Sequence, residues 1–324
     1  MKNPTPFCSI IIPALNEEKD IAACLTSLSQ QTYPRDCYEI IIVDNGSTDS
    51  TKSIALNYAD HVFEKTNCNV GAVRNYGVEN SKGEILVCTD ADCVVDGNWI
   101  ETGVSLLEEN QNTIFGGGLK PRKNPSWIER LWILNDNGEN LQQKDLMGSC
   151  IFTTRELFLK SGKFPEDITS GEDTYFSNSA KSESIRVVLS PSLSLTHLGL
   201  PTTPLGFIKR QIWHGENYLR NPKESFQDKT FLITLCYISS LLIFLISAAF
   251  SLWPTTLVSA VSATGCALIV SVKRLKRAKG IKLDFIDYIG FLFLDHLYLL
   301  GRSLGIAKGT IKKKVKFNTP PEHN

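Results

Sequence analysis

Two carboxylates stand one residue apart at the end of an apolar segment. Asp90 and Asp92 follow the run Ile85–Thr89, whose residue types are those of a buried strand. In open α/β sheets, ligands bind at the carboxyl ends of the strands, so we expect both side chains to lie at such an edge. Carboxylate oxygens suit a hard divalent cation, which completes its shell with water and phosphate oxygens. Because Asp-x-Asp alone is a common sequence, its significance depends on its neighbours.

Three apolar runs in the first 100 residues predict the strands that position these carboxylates. Cys8–Ile12 and Tyr38–Val43 are continuous runs of the kind that form strands buried on both faces, and a weaker strand is predicted near His61–Glu64. Helical patterns separate the runs. Alternating strands and helices predict an α/β fold with a doubly wound, mostly parallel sheet.

Two helices are predicted between these strands. Asn16 precedes an apolar pattern that places Glu17 and Glu18 in a first helical turn, where the helix dipole favours acidic side chains. A second helix is predicted through Val73 and Tyr76. Residues 110–200 are less regular and are assigned to the same domain, with strand-like segments at Thr113–Leu119, Gly148–Thr153 and Ile185–Leu189.

The charge of the chain is distributed unevenly, although its formal net charge is zero. Residues 1–229 carry 22 basic and 30 acidic side chains, whereas residues 230–324 carry 12 and 4. The acidic character of residues 1–229, the head of the chain, argues against nucleic acid as the main partner of this part. The basic, apolar tail of residues 230–324 fits an anionic membrane surface. Nine cysteines without a Cys-x-x-Cys pair indicate a reducing compartment, and no signal peptide is recognisable before the first strand. We therefore expect the head in the cytoplasm.

Two uncharged segments predict a membrane hairpin. Residues 230–252 and 255–272 contain no charged side chain, and each is close to the roughly 20 residues that span a bilayer. The basic run from Lys273 places that end in the cytoplasm by the positive-inside rule. A buried hairpin of a soluble protein is the alternative. The predicted domains are a cytoplasmic α/β domain at 1–229, the hairpin at 230–272 and a basic juxtamembrane segment at 273–324.

A third apolar segment, 285–306, allows two membrane arrangements. It contains Asp287, Asp295, His296 and Arg302, and both of its flanks are basic. If the segment crossed the bilayer, one basic flank would lie outside. We therefore favour an in-plane interfacial helix, with its polar residues on a wet face, over a third crossing.

At the level of whole motifs, the chain resembles the family 2 glycosyltransferases, which have a GT-A fold. Five motifs match in order and spacing over residues 7–220, and together they are specific although each alone is weak. The resemblance implies transfer of a sugar from a nucleotide sugar, with Mn²⁺ or Mg²⁺ as cofactor. The matching segments are Ser9–Glu18, Ile41–Asp49, Asn69–Asn75, Thr89–Asp92 and Gly171–Asp173.

The resemblance assigns donor-binding residues to the first four motifs. Asp44 is implied to recognise the nucleotide base and Arg74 to help hold the nucleotide; a turn aspartate and a surface ion pair are the alternatives. Asp92 is expected to be the principal metal ligand, and Asp90 is expected to contact the ribose or metal-bound water. The other residues predicted to line the donor site are Pro13, Ala14, Asn16, Glu17 and Ala91.

His197 and Asp173 complete the predicted site. Family members often carry a histidine at the position of His197, where a metal ligand of this type would favour Mn²⁺; a structural histidine is the alternative. Asp173 precedes the helical run Thr174–Ala180 and is the candidate general base, with a pKa that the helix dipole would lower. Capping of that helix by Glu172 and Asp173 is the alternative. A single base opposite the leaving group implies inversion.

The chain departs from the pattern of processive relatives such as cellulose and hyaluronan synthases, which carry Gln-x-x-Arg-Trp. The corresponding stretch, Arg210–Gly215, has a Gln and a Trp without that spacing, so we expect one sugar per acceptor. Further predicted contacts of the diphosphate or acceptor are Glu172, Arg210, Trp213 and His214.

The expected partners are a nucleotide sugar, taken as a UDP-sugar, and a lipid-linked or saccharide acceptor at the cytoplasmic (inner) membrane. A polyprenyl-phosphate glycosyltransferase is the alternative within the class, and its anionic acceptor would not need Asp173 as base. A catalytically inactive nucleotide-sugar-binding scaffold of a synthase complex is the alternative outside it. A nucleotidyltransferase is disfavoured because the loop Pro13–Asn16 lacks a glycine-rich phosphate-binding sequence.

Overall fold

The structure is a computed structural model. It describes residues 5–135, 139, 141, 143–168, 170–216, 218, 225–276, 278 and 281–318, with side chains described to Thr310. The chain forms two compact units, one of residues 1–124 and 135–200 and the other of residues 125–134 and 201–324. Residues 201–228 thus group with the apolar helices, whereas the sequence assigned them to the first domain. The domain boundaries at 229 and 272 stay predictions.

The described residues form ten strands and eleven α-helices. The strands are β1 (Cys8–Ala14), β2 (Tyr38–Asp44), β3 (His61–Glu64), β4 (Ile85–Cys88), β5 (Cys93–Val94), β6 (Thr113–Gly116), β7 (Leu119–Lys120), β8 (Ile151–Thr154), β9 (Arg186–Leu189) and β10 (Leu195–His197). The helices are α1 (Ile21–Ser29), α2 (Thr51–Ala55), α3 (Val70–Glu79), α4 (Trp99–Glu109), α5 (Trp127–Ile133), α6 (Arg155–Lys160), α7 (Glu172–Ser182), α8 (Pro204–Gly215), α9 (Lys229–Ala249), α10 (Trp253–Leu275) and α11 (Phe285–Asn318).

A seven-stranded, mostly parallel sheet forms the centre of the first unit. Its spatial order is β3-β2-β1-β4-β8-β6-β9. The pairs among β1 to β4 are parallel, β8 is antiparallel to both β4 and β6, and β9 is parallel to β6. This topology confirms the predicted α/β fold with a mostly parallel sheet.

Alternate residues of β1 pack on opposite faces of this sheet. Ile10 and Ile12 belong to the core that includes Leu25 of α1, whereas Ile11 belongs to the core that includes Phe176 of α7. Because apolar cores cover both faces, the strand is apolar throughout, as is typical of doubly wound sheets. The polar residues at the strand ends are therefore the ones available for chemistry.

A second sheet, of order β5-β10-β7, brings His197 close to the Thr89–Asp92 motif. Cys93 of β5 pairs with His197 of β10 in antiparallel register. Since Asp90 and Asp92 directly precede β5, this pairing carries His197 to the two carboxylates. The strand predicted over Thr113–Leu119 is divided into β6 of the large sheet and β7 of the small one.

The first helix begins later than the sequence predicted. α1 starts at Ile21 and has no acidic side chain in its first turn. The main-chain N–H of Glu17 donates to Thr51 Oγ1 at 2.7 Å, and the Asn16 side chain accepts from the Thr48 amide at 2.8 Å. These bonds tie the segment to the loop after β2, and Asn16 has a positive φ of 57°, so the helix does not extend back to this segment. The placement of two glutamates in a helical turn was therefore wrong.

Three long apolar helices dominate the second unit. α9, α10 and α11 are each long and apolar enough to cross a membrane, which supports the predicted membrane association. Asp295 of α11 is fully buried, where it accepts hydrogen bonds from Ser271 at 2.7 Å and Arg274 at 2.5 Å. Asp287 pairs with Arg130 of α5. The expectation that Asp295 lies on a wet face was wrong, because a neighbouring arginine balances its charge inside the unit.

Candidate active site

Arg74 of α3 is the buried centre of the candidate site. Its Nη1 donates to Glu172 Oε1 and its Nη2 to Asp90 Oδ1, both at 2.6 Å, and the residue is 2% exposed. Burial alone would lower the pKa of Arg74, but the carboxylates of Asp90 and Glu172 raise it above its usual range. The expected alternative, an ion pair, is present but buried rather than on the surface. Contact between Arg74 and a nucleotide stays a prediction.

Gly148 lies between Arg74 and Asp173. Its N–H donates to Asp173 Oδ2 at 3.1 Å, and a Cβ at this position would lie 2.4 Å from Arg74 Nη2. Glycine is therefore required where the main chain binds the carboxylate while touching the guanidinium. Nothing in the sequence marks Gly148, because the residues that meet there are far apart in the chain.

Asp173 lies in the first turn of α7. This helix begins at Glu172, after Gly171 in the left-handed conformation at φ 83°. Burial, followed by the charge of Glu172, raises the pKa of Asp173 to about 6, against the opposing effects of the Gly148 N–H and Arg74. The predicted lowering of this pKa by the helix dipole was therefore wrong. A carboxyl group of this kind is ionised at neutral pH and more basic than an ordinary aspartate, which suits a proton acceptor.

Four side chains with metal-binding atoms converge near the end of β4. The ligand atoms of Asp90, Asp92, Cys93 and His197 all lie within 4.8 Å of one another. His197 Nδ1 is 3.3 Å from Asp92 Oδ2. Two carboxylates and an imidazole at this spacing fit a divalent cation such as Mn²⁺ or Mg²⁺. The structure thus brings Asp90, Asp92 and His197 together. The roles of Asp92 and His197 as metal ligands, and of Asp90 as a contact of the ribose or of metal-bound water, stay predictions.

Gly199 makes room for Asp92. A Cβ at Gly199 would lie 2.0 Å from Asp92 Oδ2, and the Leu198 amide donates to the Asp92 carbonyl at 2.7 Å. The turn after β10 is therefore fitted directly against this carboxylate. Ala91, between the two aspartates, is 2% exposed and packs in the apolar core, so it anchors the Asp90–Asp92 segment to that core.

Glu17 contributes to the negative charge of the same region. Burial, then the charges of Asp92, Asp20 and Asp90, raise the pKa of Glu17 to about 7. Carboxylates raise one another's pKa when their charges are close and uncompensated. A divalent cation bound at Asp92 would reduce this repulsion.

Asp44 ends β2 with its carboxylate bound by its own loop. It accepts from the main chain of Gly46 at 3.1 Å and of Ser47 at 3.0 Å, and from the Ser47 hydroxyl at 2.5 Å. Pro13 and Ala14 end the neighbouring strand, with Ala14 directly beside Asp44 in the sheet. The expected turn role of Asp44 is therefore present, and base recognition stays a prediction.

Comparison with known proteins places this geometry in a family. The family model "Glycosyl transferase family 2" matches residues 9–160. Glycosyltransferase AglE of Haloferax volcanii is 30% identical over 237 residues, which are 68% of this chain and 75% of that protein. The chain belongs to the family 2 glycosyltransferases. It is accordingly a nucleotide-sugar glycosyltransferase.

Two further comparisons define how far this likeness extends. The glycosyltransferase is 32% identical over 206 residues to the poly(ribitol-phosphate) beta-glucosyltransferase of Bacillus spizizenii, 59% of this chain but only 32% of that relative. Among solved structures, the mannosyltransferase PcManGT from Pyrobaculum calidifontis, in complex with GDP-Man and Mn²⁺, aligns with a TM-score of 0.60 at 18% identity. The alignment covers 93% of this chain and 87% of that one, and it confirms the GT-A fold.

The remaining residues predicted to contact the diphosphate or the acceptor lie on α8, in the second unit. Gln211 is buried and accepts from Arg302 Nε at 3.2 Å, whereas Trp213 is partly exposed. Burial, then the charges of Arg302 and Arg210, lower the pKa of His214 to about 3. His214 is therefore neutral at physiological pH and brings no charge to a diphosphate. Contacts of Arg210, Trp213 and His214 with substrate stay predictions.

Replacing Arg74 by lysine tests whether one guanidinium must hold both carboxylates. Lysine keeps the charge but lacks the planar fork, and a buried carboxylate left without its partner costs about 3–5 kcal/mol. We expect Arg74→Lys to lower the midpoint of thermal unfolding and to reduce the rate of nucleotide release by more than about tenfold.

Arg35→Lys is the matched control. Arg35 binds both oxygens of Asp60, at 2.6 and 2.7 Å, but its side chain is 48% exposed. Exposed pairs contribute about 0–1 kcal/mol, so this variant should behave like the wild type. Equal effects of the two substitutions would contradict a special role for Arg74.

Proposed function

We propose that this glycosyltransferase moves one sugar from a UDP-sugar to a lipid-linked saccharide or similar acceptor, with inversion, at the cytoplasmic face of a membrane. The observation that supports it best is the position of Asp173. Gly148 holds its carboxylate next to Arg74, and Arg74 binds Asp90 beside Asp92. A proton acceptor and a cluster of metal-binding groups are thus held together, as transfer to a hydroxyl group requires.

Each residue has one task in this proposal. Asp173 accepts the proton of the acceptor hydroxyl as that oxygen attacks the anomeric carbon, and attack opposite the leaving group inverts the sugar. Asp92 and His197 hold a divalent cation, which when bound stabilises the negative charge of the departing nucleoside diphosphate. Asp44 recognises the base of the donor at the end of β2.

A panel of sugar nucleotides tests the donor and the metal requirement. We expect washed membranes that contain the chain to release nucleotide from one donor only when Mn²⁺ or Mg²⁺ and a lipid acceptor are present. Because Asp92 is proposed as the principal ligand, Asp92→Asn should lower this release by at least about a hundredfold. Chelation should abolish it in the wild type.

Asp96→Asn is the control for the loss of one negative charge nearby. The Asp96 side chain is 59% exposed and pairs with Lys120, so its replacement should leave release within about twofold of wild type. Release that persists in Asp92→Asn would contradict the metal assignment. If folded protein releases no nucleotide from any donor, even with added lipid extracts, the result would favour the hypothesis of an inactive nucleotide-sugar-binding scaffold.

The proposed base predicts a specific pH dependence. Because Asp173 accepts a proton only when ionised, and its pKa is raised to about 6, activity should rise as the pH increases through about 6. Asp173→Asn should lose about 10²–10⁴-fold in rate, the usual contribution of a general base. Both effects are measured as nucleotide release at a saturating donor concentration.

Asp145→Asn is the matched control for this substitution. Asp145 forms a partly exposed ion pair with Lys181 of α7 at 2.6 Å, so its loss should change neither the rate nor the pH profile. An active Asp173→Asn variant would contradict the role of Asp173. It would favour the polyprenyl-phosphate acceptor, which carries its own negative charge and needs no base.

We propose that α9 and α10 form a membrane hairpin with the catalytic domain on the cytoplasmic side, and that α11 lies in the plane of the membrane surface. The contacts of α11 support this arrangement. His296 is 3.2 Å from the Tyr237 hydroxyl, in the first half of α9, and Asp295 binds Ser271 and Arg274 near the basic end of α10. Leu299 belongs to the same apolar cluster as Val270.

The far half of the hairpin is open to its surroundings. The far halves of α9 and α10 expose a set of large apolar side chains, which suits contact with lipid, and Leu268, Ile269 and Val272 nearer the basic end of α10 are exposed as well. The exposed side chains of the far halves are Leu245, Ile246, Phe250, Leu252, Trp253, Leu257, Val258 and Val261.

Fusions of a cytoplasm-specific fluorescent protein test this topology. The reporter should fluoresce when attached before residue 1 and after residue 324, and it should stay dark when inserted at Ser251 in the hairpin turn. Fluorescence before residue 1 but not after residue 324 would show that α11 crosses the membrane. Fluorescence at Ser251 would contradict the hairpin itself.

A further inference from the structure

Cys93 is a side chain at the candidate site to which the proposed reaction gives no task. It is fully buried and directly follows Asp92. It also lies opposite His197 in the antiparallel pair of β5 and β10. Residues directly opposite in such a pair point to the same face, with their Cβ atoms about 4.5–5.5 Å apart. The register of the small sheet therefore places a thiol beside the imidazole.

The Cys93 thiol also lies among the carboxylates. Its Sγ is 3.6 Å from Asp92 Oδ1, and its distance to the ligand atoms of Asp90 and His197 is at most 4.8 Å. The site therefore offers two hard oxygen donors, one imidazole nitrogen and one sulfur. Mg²⁺ and Mn²⁺ use oxygen and nitrogen donors of this kind, and sulfur has little to offer them.

We propose that the acidic site of this glycosyltransferase is also a site for Zn²⁺ and similar thiophilic cations, in which Cys93 is a ligand together with Asp92 and His197. This proposal rests on the metal site of the proposed function. Zn²⁺ favours four-coordinate sites made from Cys, His and Asp, and it binds more tightly than Mn²⁺ in the usual order of divalent metals. Zn²⁺ therefore displaces the activating cation.

Binding involves a proton as well as a metal. The Cys93 sulfur forms a bond to Zn²⁺ as its S–H bond breaks, and the proton leaves to solvent. No electrons are transferred, so the effect is reversed by a chelator followed by Mn²⁺. The consequence is an enzyme that Mn²⁺ activates and Zn²⁺ inhibits at the same residues.

Co²⁺ absorption tests the thiolate ligand directly in the purified full-length chain. A Co²⁺–thiolate bond gives an intense near-ultraviolet charge-transfer band, which oxygen and nitrogen ligands do not produce. We expect this band in the wild type, its loss in Cys93→Ser and Cys93→Ala, and its displacement by Zn²⁺. The dissociation constant of Zn²⁺, measured by competition with a chromophoric chelator, should rise by more than about tenfold in both variants.

Two controls separate the possible failures. Cys8→Ser changes another buried cysteine at the amino end of β1 and should keep the band. Asp92→Asn should weaken Co²⁺ binding itself. Co²⁺ binding without the band, or a band that persists in both Cys93 variants, overturns the Cys93 proposal and leaves the metal site of the proposed function intact. Absence of both Co²⁺ and Mn²⁺ binding in folded protein overturns both.

Discussion

The candidate site depends on one buried cation. Arg74 is held between Asp90 at the end of β4 and Glu172 at the start of α7, and almost none of it reaches solvent. A charge inside a protein is tolerated only when partners balance it, and removing one partner leaves the others unbalanced. The three elements are therefore fixed relative to one another by electrostatics as much as by apolar packing.

This ion pair also sets the surroundings of the proposed base. Burial, and then the charge of its neighbour Glu172, raise the pKa of Asp173, while the Gly148 amide and Arg74 act in the opposite direction. Gly148 can serve both groups only because it has no side chain to collide with the guanidinium. The geometry thus couples the carboxylates near the metal-binding cluster to the carboxylate proposed to accept a proton. In this account, proton transfer and metal binding are properties of one charge network.

The sequence predicted those features of the structure that local patterns of residues determine. Apolar runs identified the strands of the parallel part of the sheet, and five motifs in the expected order identified the family. It missed Gly148 and Gly199, whose importance arises only from contact with Arg74 and Asp92 across the fold. The predicted start of α1 and the predicted lowering of the pKa of Asp173 were wrong for the same reason. Contacts with distant side chains and burial outweighed the local effects of a helix start. Tertiary contacts of this kind leave no periodic signal in one sequence.

A double-mutant cycle between Arg74 and Glu172 tests the central claim most directly. The rates of metal-dependent nucleotide release are compared for wild type, Arg74→Met, Glu172→Gln and the double variant. If the two residues act as one unit, the double variant should be about as impaired as either single variant, with a coupling energy above about 1.4 kcal/mol. Effects that add to within about 0.5 kcal/mol would contradict the account, because the ion pair would then not organise the site.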